Sequence, residues 1–153
     1  MKLTSTAFAE GGMIPDQYSY ENKNLSPPLA WSDVPANAKS FALICDDPDA
    51  PRPVPWVHWV IFNLPADRHE LPEGVKADKT VLGGAKQGTS DYKKVGYGGP
   101  APPSGTHRYY FKLYALDTLL DLKEGATKQE LEAAMKGHIL AKGELMGKFA
   151  ARK

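Results

Sequence analysis

The chain alternates short apolar runs with Pro- and Gly-rich loops for most of its length and changes period only near the C-terminus. Trp56 to Leu64 is the plainest strand. Trp56, His58, Val60, Phe62 and Leu64 fall on one parity, and Val57, Trp59, Ile61 and Asn63 on the other. His107 to Leu116 repeats the pattern. His107, Tyr109, Phe111, Leu113 and Ala115 share one face, while Arg108, Tyr110, Lys112 and Tyr114 share the other. Phe41 to Cys45 is apolar on both parities, as a strand covered on both faces must be. Thr4 to Phe8 alternates weakly and reads as a first strand, Glu144 to Ala150 as a short last one. Asn24-Leu25-Ser26-Pro27-Pro28-Leu29-Ala30-Trp31 reads as extended, polyproline-like chain with an aromatic anchor.

About forty aperiodic residues separate the two strongest strands, and segments that long are either functional or disordered. Their Gly and Pro density favours an ordered, shaped loop. Thr127-Lys128-Gln129-Glu130 fits a capping box. Leu131, Ala134, Met135, His138 and Ile139 then recur at helical spacing. Gly137 weakens that helix by about 1 kcal/mol relative to Ala and leaves its end open. The pattern as a whole predicts a mainly β protein, one domain over residues 1–153, with long stiff loops.

Composition narrows the function classes. A length of 153 residues buries roughly two thirds of the extended-chain surface, and 42% hydrophobic residues exclude a disordered chain. No apolar run approaches the ~20 residues of a membrane-spanning helix, so stable membrane insertion is not expected. A net charge of +1 supplies no global field for nucleic acid, so any anion site must come from local geometry. Cys45 is the single cysteine and cannot form an internal disulfide. With no apolar core for a signal peptide near Met1, a cytoplasmic location is the expectation.

Candidate chemistry lies where the loops meet the strands. His58, His107 and Tyr109 share parities with core residues and need partners, since an unpaired buried polar group costs a few kcal/mol. Asp47 and Asp49, in the turn after the Phe41–Cys45 strand, are the obvious ones. A structural hydrogen-bond network is one outcome. The other is an oxyanion pocket, with imidazole N–H groups and a tyrosine hydroxyl as donors and a carboxylate that raises the histidine pKa values.

Three separated motifs make this specific. Asp47-Pro48-Asp49-Ala50-Pro51, the Trp56-x-His58 strand, and the Gly99-to-Tyr109 segment ending in His107-Arg108-Tyr109 resemble the phosphatidylethanolamine-binding proteins, the family that includes Raf kinase inhibitor protein. The Asn24–Trp31 segment is similar to that family's early proline stretch. The short length and the tail Met135 to Ala141 resemble its prokaryotic YbhB/YbcL-type branch. The resemblance implies two antiparallel sheets with one or two short helices near the C-terminus and an anion pocket at one end. By motif position, Asp47, His58, His107 and Tyr109 would form the pocket, with Asp49, Pro51, Trp56, Gly99, Pro102 and Pro103 as its wall. The chain lacks the insertion of animal members before the Trp-x-His strand, and Val57 stands where those members carry a second histidine.

The expected function is therefore non-catalytic binding of a small anion or phosphorylated headgroup, with no cofactor. A kinase or protease inhibitor acting through surface docking is the alternative, and the related branch suggests a homodimer. A metal enzyme built on Asp47, His58 and His107 would need three ligands from separate segments without a compact spacing. Ser104 lacks a nucleophile elbow, and Cys45 sits among Phe41, Leu43 and Ile44 as a core residue. Lys86, Lys93 and Lys94, near Tyr92 and Tyr97, read as a solvated loop rather than a nucleic-acid surface. Arg108 faces away from His107 and is expected to pair with Asp49 or Asp91. His138 reads as a helix-end or packing residue and His69 as an exposed one.

Overall fold

The computed structural model describes residues 1–151. In chain order the strands are β1 (Lys2–Thr4), β2 (Leu29–Ser32), β3 (Ser40–Asp47), β4 (Trp56–Pro65), β5 (Glu70–Leu71), β6 (Thr80–Val81), β7 (Ala85–Gln87), β8 (Thr106–Leu116) and β9 (Ile139–Ala150). Among the described residues one α-helix, α1 (Lys128–Met135), precedes β9, and a single 3-10 turn spans Asp16–Tyr18. The strands form two antiparallel sheets, a small one in the order β1-β2-β5 and a large one in the order β6-β7-β4-β3-β8-β9.

The apolar character of both parities in β3 now has its cause. On one face of the large sheet, Phe41, Leu43 and Ile61 pack with Leu3, Leu29, Trp31 and Leu71 of the small sheet. On the other, Ala42, Ile44, Val60 and Phe62 pack with Leu131 and Met135 of α1 and with Leu120 and Ala126 before it. Every residue of β3 is buried.

Strict alternation fails twice in β4. Cys45 pairs with Trp59 and Asp46 with Val57, so one step on β3 answers two on β4 and His58 is the extra residue of a β-bulge. Leu43 pairs with Ile61 and Phe41 with Leu64, which places a second irregularity around Phe62 and Asn63, where Asn63 has φ +55°. Trp59, Ile61 and Leu64 therefore face the small sheet, and Val57, Val60 and Phe62 face the helix side.

Other expectations shift as well. The first strand is Lys2–Thr4 rather than Thr4 to Phe8. Beyond it the Ser5 hydroxyl accepts the Ala7 N–H and turns the chain, so that Phe8 packs on Phe111. The last strand starts at Ile139, not Glu144, and pairs with β8 along its whole length. Gly143 and Gly147 hide it in the sequence, yet each is there for packing. A Cβ on Gly147 would lie 2.6 Å from Ile14 and 2.7 Å from Phe8. Residues 11–14 bond to Met146 and Lys148 and cover this outer strand, removing an open sheet edge.

The helix carries the expected capping box at Thr127 and Glu130, but it stops at Met135. Gly137, at φ +84°, reverses the chain, so Ile139 begins a strand instead of ending a helical stripe. His138 binds Asp117 across that turn at 2.8 Å. The long segment before β8 is ordered, as its composition requires. Gly88, Asp91 and Gly98 donate backbone N–H groups to the carbonyls of Val60, Val57 and His58, lacing it along β4. No helix among the described residues is long and apolar enough to cross a membrane.

Candidate functional site

Asp47 ends β3 with its carboxylate 3% exposed as a residue and both oxygens engaged. Oδ1 accepts the Asp49 N–H at 2.7 Å, which closes the turn. Oδ2 accepts from His107 Nδ1 at 2.6 Å. His107 and Tyr109 lie one and three residues into β8, on its buried parity, as alternation predicts. His58 reaches the same place by way of its bulge, its ring edge-on to Tyr109 with centroids 5.1 Å apart.

These groups surround a cavity of about 300 Å³, lined by Asp47, Pro51, Trp56, His58, Pro102, Pro103, His107 and Tyr109, together with Ala50, Ala101 and Tyr92. A larger, more open groove of about 770 Å³ lies beside Pro65 at the other end of β4, lined by Asp67, Arg68, His69 and Glu70. His69 is exposed there, and its solvated charges make no convergent site.

Two expected wall residues belong elsewhere. Asp49 turns outward to a bidentate pair with Arg108, at 2.8 and 2.9 Å, and accepts the Arg108 backbone N–H as well. The guanidinium holds the Asp49 carboxyl down at about 2. Arg108 thus braces the loop, as its outward parity implies. Gly99 sits behind the wall at a chain crossing, its N–H on Asn24 Oδ1 and its carbonyl on the Tyr92 hydroxyl, each at 2.7 Å. Asp91 pairs with Arg52, whose guanidinium lies 4.8 Å from the Trp56 ring centre. Val57 is buried on the helix side, away from the cavity.

Tyr92 is the site residue that sequence reasoning missed. It stacks on Tyr20 at 4.0 Å and meets Trp56 and His58 edge-on, each at 5.7 Å. Burial pushes its hydroxyl pKa up, and that of Tyr109 likewise. The only signal was an aromatic residue in an aperiodic loop, beside an aspartate.

The proton inventory of the two imidazoles differs from expectation. The partner of His58 Nδ1 is the Gly98 carbonyl, at 2.6 Å, and not a carboxylate. A carbonyl only accepts, so Nδ1 carries the hydrogen and Nε2 of the neutral ring presents a lone pair. Burial lowers the His58 pKa from 6.5 and outweighs the opposing pull of Gly98 and Asp47. The expected rise from a nearby carboxylate is thus reversed at this residue. His107, with Nδ1 committed to Asp47, has only Nε2 left for a ligand. Neither Nε2 nor the Tyr109 hydroxyl has a hydrogen-bond partner among the described residues. No group of three His, Cys, Asp or Glu side chains among those residues is arranged to hold a metal ion.

A neutral buried His58 has a consequence for stability. The unfolded chain takes up the proton at its higher pKa of 6.5, so stability is present above that pH and is lost as pH falls below it toward the folded value. Urea unfolding at pH 7.5 and 5.5 is expected to show an acid loss in the parent that His58→Gln reduces by at most about 1.4 kcal/mol. Equal losses in both proteins would mean that His58 is not held neutral.

Fold and site together define a two-sheet β protein with a small cavity at one end of its large sheet, walled by proline and aromatic rings and floored by histidines and a buried carboxylate. The family model described as phosphatidylethanolamine-binding protein matches residues 4–150. A UPF0098 protein of Methanothermobacter thermautotrophicus is 52% identical over 149 residues, covering 97% of this chain and 98% of the relative. The crystal structure of a phosphatidylethanolamine-binding protein homolog from Chlamydia trachomatis superposes with a TM-score of 0.90 at 44% identity, over 99% of this chain and 97% of that one. Escherichia coli YbcL, described as a member of the mammalian family, gives 0.92 at 32% identity, over 99% and 98%. The chain belongs to the phosphatidylethanolamine-binding protein family, in its prokaryotic branch.

Proposed function

We propose that the cavity binds a small oxyanion of the phosphate-monoester or phosphorylated-headgroup class and does not turn it over. The observation that supports this reading is the convergence of two anchored imidazoles and a free tyrosine hydroxyl on one cavity of about 300 Å³. That volume is at the low end for ligand pockets and suits a headgroup rather than a large molecule. Proline residues 51, 102 and 103 keep the wall stiff, so little ordering entropy is lost on binding.

His107 contributes its Nε2, held in place by the Asp47 carboxylate. Asp47 itself binds no ligand directly in this scheme, because both of its oxygens are committed within the protein. Tyr109 adds its hydroxyl. Titration with inorganic phosphate, followed by amide and imidazole NMR, is expected to give saturable shifts around His58, Tyr92 and Tyr109. His107→Ala should weaken that binding by about tenfold or more, since a hydrogen bond to a charged group contributes about 1.5–3 kcal/mol. An amide spectrum of the variant checks its fold. Unchanged affinity in a folded His107→Ala would overturn the assignment.

A further inference from the structure

The cavity has a buried carboxylate in its wall and no fixed positive charge. Asp47 lines it, no Lys or Arg does, and among the described residues the ion-pair partner of Asp47 is His107. Cations in the neighbourhood are already engaged. Lys112 and Lys128 are taken by Asp46, and Arg108 by Asp49. Both imidazoles, when neutral, meet the cavity with a bare nitrogen. The Nδ1 hydrogen of His58 is on the Gly98 carbonyl and that of His107 on Asp47, so each Nε2 offers a lone pair. The Tyr92 hydroxyl is spent on the Gly99 carbonyl. The other side-chain donors of the lining, the Tyr109 hydroxyl and the Trp56 indole N–H, carry no charge. An oxyanion entering this cavity would face two lone pairs and a carboxylate. Leaving water for such a place is costly unless a positive charge arrives with it.

We propose that the cavity takes up its anion together with one proton, which passes from solvent onto Nε2 of His107. The inference rests on the anion-binding reading above and adds what regulates it. Once protonated, His107 donates from both nitrogens, Nδ1 to the Asp47 carboxylate and Nε2 to the ligand. Geometry selects His107 over His58. A cation at His107 is bonded to a buried carboxylate at 2.6 Å, a charge-assisted contact. His58 has only the neutral Gly98 carbonyl behind it, and burial works against its charge. The groups around His107 agree in sign. Asp47 at the end of β3 and Asp49 in the turn after it favour the cation, while the Arg108 charge is balanced by Asp49. Tyr109 lies 6.5 Å away between ring centres, His58 comes from β4 and Tyr92 from the long loop, and none of the three brings a fixed charge. From β9 the facing residue is Phe149, and residues 101–103 add an alanine and two prolines. Anion and proton therefore each strengthen the binding of the other. Affinity is highest where His107 already carries the proton, and above that pH it falls by about tenfold per pH unit. The cavity thus releases its ligand as pH rises.

The test uses dimethyl phosphate and sulfate on the full chain, because both stay fully ionised across the pH range and any proton taken up then belongs to the protein. Calorimetry at about pH 8, repeated in buffers of different ionisation enthalpy, counts the protons bound with each anion. The expected result is an uptake approaching one proton per anion and an affinity about tenfold weaker for each further pH unit. Nitrogen-15 imidazole shifts should show a hydrogen gained at His107 Nε2 on binding, while His58 Nε2 stays bare. His107→Gln, whose amide donates without taking a proton, should bind with little change over the same range. Where that variant folds poorly, the proton count of the parent decides alone. Binding without proton uptake, or a proton that settles on His58, would overturn the inference and leave the anion site standing. Inorganic phosphate is the third probe. If it binds and neither ionised probe does, the proton travels on the ligand and not on His107, and the inference is again lost. If none of the three shifts the cavity resonances, the anion reading falls and this inference with it.

Discussion

Asp47→Ala is expected to lower stability by about 3 kcal/mol and to weaken phosphate binding at least as much as loss of His107 does. One carboxylate closes the turn after β3 through the Asp49 N–H and anchors His107 through Nδ1. The residues on both sides of that His–Asp contact are buried, so neither partner can turn to solvent when the other is removed. Breaking a buried charged pair costs about 3–5 kcal/mol where the survivor is left uncompensated. The lower end of that range applies because an imidazole, unlike a lysine or arginine side chain, can shed its proton when its carboxylate partner is removed. Asp47→Asn keeps an acceptor oxygen and should fall between parent and alanine in stability. Urea unfolding and the same phosphate titration check both properties. A stability within 0.5 kcal/mol of the parent, roughly the range of ordinary surface substitutions, would show that Asp47 does not hold this end of the sheet together.

Gly99→Ala is expected to be as damaging through sterics alone. An added Cβ would lie 2.0 Å from the Tyr18 carbonyl oxygen and 2.9 Å from backbone atoms of Ser19 and Tyr20. That neighbouring segment cannot step aside cheaply. Tyr97 donates to the Tyr18 carbonyl at 2.8 Å, and the Tyr20 N–H is bound to the Pro100 carbonyl at 3.0 Å. Overpacking commonly costs 1–3 kcal/mol, and a clash between two backbones belongs at or above the upper end, about 3 kcal/mol. Displacing Gly99 also moves the acceptor of the Tyr92 hydroxyl, so the cavity wall should loosen. Gly105→Ala is the control: nothing lies within 4 Å, and only the positive φ of +67° opposes a side chain, at roughly 1–2 kcal/mol. Equal losses for the two variants would show that the close crossing at Gly99 is not what requires glycine there.

The residues of this site differ in how far a single strand announces them. His107 and Tyr109 are legible from one strand, because β8 alternates cleanly and its buried parity carries both. The inward aim of His58 is also correct, yet simple alternation does not explain it. Strict parity groups His58 with Val60 and Phe62, which lie beneath the helix and away from Tyr109. The bulge against Cys45 and Asp46 turns it to the cavity, and a bulge is a register between two strands that neither strand carries alone. Tyr92 was invisible for a related reason. Its place depends on a stack with Tyr20, more than seventy residues earlier, at 4.0 Å.

Charge followed the same division. The Arg108–Asp49 pair could be anticipated from outward parity plus a nearby carboxylate, and it formed. The His58 proton could not, since its position depends on a carbonyl forty residues away in sequence, at Gly98. The sequence alone determined the β class, the inward parity of His107 and Tyr109, the capped helix start and the ordered long loop, because each follows from local periodicity, capping chemistry or loop composition. The tertiary structure decided the rest: the bulge that aims His58, the crossing that needs Gly99, the full length of β9, and which imidazole nitrogen is left to meet a ligand. Each of these is a contact between segments far apart in the chain, where register and close approach, rather than local preference, set the geometry.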